Sequence, residues 1–158
     1  MFARYAAAAA IIALAIMASM PQAALAAQDD GIIKFKSAYD MPETIKRLKK
    51  DVADKGIMFF DEIDQSKLAA DAGVKLLPST LLVFGNPPLG TLFLTSDPDA
   101  GLDWPVRLLV YQDANGGVWV AYTDFAWIAK RHGITNRDKE FKMASEVISS
   151  ITSTVKPQ

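Results

Sequence analysis

The residues of this chain with the means to do chemistry are few and widely spaced. His132 is its only histidine and stands immediately before Gly133, where a helix is expected to end. An imidazole there can do no more than interact with the negative end of the helix dipole, or it can serve as a general base or metal ligand titrating near neutrality. Asp61, Glu62 and Asp64 form the densest run of acids. On a strand, Glu62 and Asp64 share a face while Asp61 points away. Such a pair could hold Ca²⁺ or divide the work of acid and base, and Asp64 with His132 is the pair a hydrolytic enzyme would use. The stretch lacks the glycine and the distal glutamate of a calcium loop, so a capping and solubilising role is the expected one. Zinc normally takes several histidine or cysteine ligands, and a chain with one histidine and no cysteine offers only carboxylates to complete a site. No metal and no cofactor is expected. A Gly-x-Ser-x-Gly elbow, a phosphate-binding glycine loop with lysine and a dinucleotide fingerprint are all missing, which excludes the corresponding hydrolase and nucleotide chemistries. The inventory points away from an enzyme.

A second kind of site needs no reactive group. Leu81-Leu82-Val83-Phe84 reads as a strand buried on both faces, and it stops at Gly85-Asn86-Pro87-Pro88-Leu89-Gly90-Thr91. Two prolines fix φ and lack amide protons, while Gly85 and Gly90 allow positive φ or close backbone approach, so a rigid loop with room for a ligand or another chain is expected. The ordinary alternative is a structural corner. Should an apolar cleft open beside it, the polar groups at its mouth are expected to be Asn86 and Thr91 from the loop and Arg107 and Tyr111 from the strand beyond. The aromatic residues are otherwise assigned to the core by their spacing.

The elements that must position these groups follow from composition and pattern. Arg4, the apolar run Ala6 to Met20 and the small-residue site Ala24-Leu25-Ala26 spell a secretory signal peptide over 1–26, so the chain is expected to be exported, to the periplasm or beyond. Pro21 and Gln22 cut the apolar run near the lower limit for a span, and no membrane span is expected after cleavage. The remainder, 27–158, is about 130 residues, a usual size for one domain that buries roughly two-thirds of its extended surface. Without cysteine, stability must come from packing and hydrogen bonds. Removing Arg4 moves the formal charge from −1 to −2, and Lys46, Arg47, Lys49 and Lys50 are offset by Glu43, Asp51 and Asp54. That balance gives no nucleic-acid footprint.

Ile32 to Tyr39 alternates as a strand with Ile33, Phe35 and Ser37 inward. Asp40-Met41-Pro42-Glu43 then starts a helix with Met41, Ile45, Leu48 and Val52 on its apolar stripe and Gly56 at its close. Ile57 to Phe60 opens a second strand, Asp64 caps a short helix from Ser66 to Ala72, and Gly73 ends it. Thr91 to Ser96 fits either element, with a slight preference for helix. Val106–Tyr111 and Val118–Tyr122 form a hairpin across Asn115-Gly116. Phe125 to His132 is a helix capped by Thr123 or Asp124, and the last helix starts at Thr135 or Asn136 and buries Phe141, Ala144, Ile148, Ile151 and Val155. Hairpin strands and a terminal helix on one sheet face make an α+β domain with a largely antiparallel sheet.

At Ile63-Asp64, Ala69 to Gly73, Leu82-Val83-Phe84-Gly85-Asn86-Pro87, Gly90-Thr91, Leu102-Asp103-Trp104-Pro105, Leu109-Val110-Tyr111 and Ala129 to Gly133, the chain resembles the domain of unknown function 302 family. The resemblance covers nearly all of 27–158. It implies a fold similar to the TATA-binding-protein-like arrangement, a curved antiparallel sheet gripping a long C-terminal helix, often as a homodimer, and it implies no activity. Gln65, Leu92 and Gln112 stand where members commonly carry histidine, proline and an acid, which argues against a catalytic role for those positions here. Two readings therefore lead: an exported, non-catalytic domain that binds an apolar or amphipathic small ligand near Gly85–Thr91, or a homodimeric interaction module using the same surface.

Overall fold

The structure is a computed structural model that describes residues 30–157, and the expected signal peptide lies outside the described residues. Five strands, β1 (Ile32–Lys36), β2 (Met58–Asp64), β3 (Ser79–Gly85), β4 (Val106–Gln112) and β5 (Val118–Thr123), form one sheet in the order β1-β5-β4-β3-β2, every neighbouring pair antiparallel. The α+β architecture expected from the sequence is present. The helices are α1 (Met41–Asp54), α2 (Gln65–Asp71), α3 (Pro87–Ser96), α4 (Phe125–Arg131) and α5 (Asp138–Ser153), with a 3-10 turn at Pro98–Leu102.

Local signals explain most boundaries. The Asp40 carboxylate caps α1 by accepting from Glu43 N, Pro42 sits in its first turn, and Gly56 leaves it with φ 64°. Asp64 and Asp124 cap α2 and α4 in the same way, and Gly73 and Gly133 follow those helices with φ of 74° and 61°. Gly116 turns the β4–β5 hairpin at φ 81°. The acidic run Asp61-Glu62-Ile63-Asp64 ends β2, with a bulge between Phe59 and Asp61.

One sheet face carries Leu82, Phe84, Leu108, Val110, Val120 and Tyr122, all buried, and α1 and α5 cover it. The amphipathic stripe of α5 goes where its spacing sends it: Phe141, Ala144, Ile148, Ile151 and, just beyond the helix, Val155 are buried. Phe93 of α3 stacks on Phe141 with ring centroids 4.1 Å apart. A buried polar knot joins the end of β1 to α1: Thr44 Oγ1 lies 2.7 Å from Ser37 Oγ and donates to Asp40 O. On the opposite face Leu81, Val83, Leu109, Tyr111 and Trp119 are only half-buried.

The largest departure from expectation is at the glycine-proline corner. No loop leaves the sheet there. Asn86 is the N-cap of α3, its side chain accepting from Leu89 N, and Pro87 and Pro88 fill the first helical positions. Their fixed φ suits a first helical turn and their missing N–H groups would be unpaired there in any case. Thr91–Ser96 is thus the body of a helix that begins four residues earlier.

Candidate functional site

The corner where β3 meets α3 faces α5 across a cleft. Its inner part, about 40 Å³, is lined by apolar surface from Ile57, Phe84, Leu89, Trp104, Val106 and Ile148, among others. An outer trough of about 390 Å³ shares Ile57, Asn86, Leu89 and Val147 with it and adds Lys55, Met143, Glu146 and Ser150. The two adjoin: the inner part is narrow and apolar, and the outer one is wider, still mainly apolar, with Lys55, Glu146 and Ser150 on its walls. The inner part exceeds what a single water needs, and the whole approaches the size range of small-molecule sites, roughly 300–1,000 Å³.

Gly85 and Gly90 are glycines because of Trp104, not because the backbone twists or a ligand presses on it. Neither has a positive φ. A Cβ on Gly90 would come within 2.5 Å of three atoms of the Trp104 indole, and one on Gly85 would lie 3.1 Å from Nε1. The close approach expected at this corner is made by the chain's own tryptophan. The indole also meets Phe60 edge to face at 6.2 Å, and so walls one end of the cleft.

Asp103, directly before that tryptophan, is the hub of a charged cluster. Its buried carboxylate accepts from His132 Nε2 at 2.7 Å and pairs with Arg131 at 3.2 Å and Arg107 at 3.4 Å. The other imidazole nitrogen, Nδ1, faces Asp97 at 3.6 Å. Both ring nitrogens of the buried His132 thus face carboxylates, so the imidazole is enclosed by its own cluster rather than presented to a substrate. Among the described residues no group of histidine and acidic side chains is arranged to hold a metal ion. The cluster locks the end of α4 to the start of β4 and so fixes where Trp104 stands. Sequence reading saw Leu102-Asp103-Trp104-Pro105 and Arg131-His132-Gly133 as separate pieces; the fold joins them.

The expected site residues separate. Asn86 lines the cleft. Thr91 is exposed on α3, its hydroxyl donating to Pro87 O at 2.7 Å, because the helix turns it away from the sheet. Arg107 is on the opposite sheet face, bonded to Leu102 O and paired with Asp103, because β-alternation sends Val106 and not Arg107 toward the cleft. Tyr111 shares that far face, beside Leu76 and Leu77 at the other end of β4. Asp64 and His132 do not meet. Asp64 pairs with Thr80 at one end of the sheet, while His132 binds Asp103 beyond the other end, before β4 begins. Asp64 is occupied as a cap, and bonds from Ser66 Oγ and Lys67 N hold its carboxyl below the usual range. Trp104, Ile57 and the Met143–Ser150 face of α5 were missed. No local signal tied Trp104 to this corner, because the two glycines it seats on belong to another segment.

Residues 33–155 match the model of the family described as domain of unknown function DUF302, and the chain belongs to that family. The same fold is found in the crystal structure of the uncharacterized conserved protein DUF302 from Bacillus stearothermophilus, with a TM-score of 0.72 at 16% identity, covering 80% of this chain and 99% of that one. The fluoride-specific ion channel FluC 1 of Brucella suis biovar 1 is 36% identical over 106 residues, which is 67% of this chain and 42% of that protein. FluC 1 of Brucella abortus biovar 1 and FluC 2 of Brucella melitensis biotype 1 match at the same identity over 39% of their length. The chain therefore spans about two-fifths of these curated relatives.

Proposed function

We propose that this chain is an exported, non-catalytic domain that binds a small apolar or amphipathic ligand in the cleft between the β3–α3 corner and α5. The observation that supports it is an apolar inner chamber adjoining a wider trough with polar side chains on its walls, at a place where the chain has spent two glycines to seat a tryptophan wall. No helix among the described residues is long and apolar enough to cross a membrane. The matched segment in the Brucella channels is accordingly read as a part distinct from the one that conducts, and fluoride conduction is not carried over to this chain. The test is native mass spectrometry of the purified protein with short-chain alkyl probes, beside Val147→Trp. Val147 lines both parts of the cleft and is half-buried, so the indole can plug the passage at modest cost to the fold. Retention by the parent and loss in the variant support the reading; no probe retained by either overturns it.

The opposite sheet face favours a second reading, a homodimer. Leu81, Val83, Leu109, Tyr111 and Trp119 form its half-buried centre, flanked by Lys34 on β1 at one edge and Asp61 on β2 at the other. Two copies stacked about an axis parallel to the strands place the lysine edge of one over the acidic edge of the other. Sedimentation equilibrium of the parent and of Leu109→Lys checks this: a dimer that the substitution dissociates supports the pairing, and a monomeric parent removes it.

A further inference from the structure

Among the described residues, two N–H donors at the cleft have no acceptor. Trp104 Nε1 lies over Gly85 and Gly90, both of which line the inner chamber, and donates to no protein atom; by contrast, the indole of Trp119 donates to Asp113 Oδ2 at 2.7 Å. Among the described residues the one sealed side-chain polar atom without a hydrogen bond is Asp51 Oδ2, which faces Lys55 Nζ at 3.0 Å, so Trp104 Nε1 is not fully sealed. At Asn86 the Oδ1 accepts from Leu89 N at 3.3 Å, so the Nδ2 amine is left without a partner among the described residues at the exposed rim of the cleft. The backbone at this helix start adds little. Pro87 and Pro88 have no N–H, and Leu89 N and Gly90 N are both taken by Asn86. The donors on offer are thus the Trp104 indole N–H in the apolar wall and the Asn86 amine at its exposed rim; the Lys55 ammonium further out is paired with Asp51 at 3.0 Å and shares the trough with Glu146. Apolar walls select an alkyl or similar tail, and directed, unfilled donors select an oxygen acceptor, since occupying one with an acceptor-free group forfeits the hydrogen bond it makes to water.

We infer that the ligand is a single-chain acyl compound, an alkyl tail ending in a carbonyl or carboxylate oxygen that accepts from Trp104 Nε1 and Asn86 Nδ2. This rests on the cleft being a binding site and adds the chemical class of its occupant. A free fatty acid and an acyl ester share the acceptor, and with Lys55 already paired to Asp51 the site holds no free cation that selects between them.

The experiment is isothermal titration of the full chain with decanoate, methyl decanoate and decyltrimethylammonium, which has the same tail and no acceptor. Binding of the first two with the ammonium at least about tenfold weaker is the expected result, since one or two net hydrogen bonds convert to roughly 2- to 100-fold in affinity. Decanoate binding more tightly than its ester assigns the free acid; equal binding assigns the shared acyl group. Asn86→Asp retains an oxygen to cap α3 but replaces the donor by a negative charge, and is expected to weaken decanoate more than the ester. Trp104→Phe keeps a ring in the wall without the N–H and is expected to narrow the preference over the ammonium. If the ammonium binds as well as the acyl probes, the acceptor inference falls while the cleft remains a binding site. If none of the three binds at millimolar concentration, both fall.

Discussion

Replacing Gly90 by alanine opposes two effects of known sign. Gly90 is buried inside α3 with ordinary helical φ, so on backbone grounds alanine should stabilise by about 0.5–1 kcal/mol. The new methyl, however, would stand 2.5 Å or less from Nε1, Cε2 and Cδ1 of Trp104, and the indole has little room to yield. It rests against Gly85, meets Phe60 at 6.2 Å, and hangs from a backbone fixed by the Asp103 cluster. Overpacking of this kind costs about 1–3 kcal/mol, so the clash wins and a net loss of about 1–2 kcal/mol is expected, a fall in Tm of about 3–8 °C. The assay is urea and thermal unfolding of the parent, Gly90→Ala, Trp104→Leu and the double variant. Once the indole is gone, the alanine should be neutral or stabilising, giving a coupling of at least about 1 kcal/mol. Gly101→Ala serves as control, because its Cβ would meet nothing closer than Leu94 at 3.9 Å. A Gly90→Ala protein as stable as the parent, with a coupling below about 0.5 kcal/mol, would refute the claim that Trp104 dictates this glycine.

Thr44→Val should cost about 0.5–1.5 kcal/mol in denaturant unfolding, because it removes the 2.7 Å bond to the buried Ser37 hydroxyl, which keeps Tyr39 N and Val155 O as partners. Asp103→Ala strands the buried His132 together with Arg131. A loss of about 2–4 kcal/mol is expected, less than for a fully enclosed pair since both arginines reach solvent, and changed tryptophan fluorescence should accompany it. In the hairpin, the Asp113 carboxyl is held below its usual range by the Trp119 indole N–H first and Gly117 N second. A lowered folded-state value means that its contribution is present above about pH 4 and is lost as the pH falls through the lower value. Asp113→Asn should therefore flatten the acid limb of the stability profile below about pH 4, followed by thermal melts across that range.

How much of this was legible in the sequence depends on the distance over which each signal acts. Caps and closing glycines at Asp40, Asp64, Asp124, Gly56, Gly73 and Gly133 act within one turn, and each was found where its own residues put it. The α5 stripe was legible because a period of 3–4 residues states which side must be covered without saying by what. The corner at Gly85–Thr91 was misread by giving its glycines and prolines one meaning. Asn86, Pro87 and Pro88 are local helix-start signals, whereas Gly85 and Gly90 answer a side chain on another segment, and no window of sequence contains both partners. The same limit hid the cluster around Asp103 and His132, whose members are separated by 29 positions and meet only because β4, β5 and α4 fold back on one another. It also explains why Arg107 and Tyr111 lie off the cleft. One register step on β4 decides which neighbour faces inward, and Val106 lines the cleft only because Phe84 pairs with it across the sheet. The cleft is thus a consequence of three long-range agreements: the pairing of Val106 with Phe84, the seating of Trp104 on two glycines, and the lock of Asp103 on His132. A substitution that breaks any one should move the same indole.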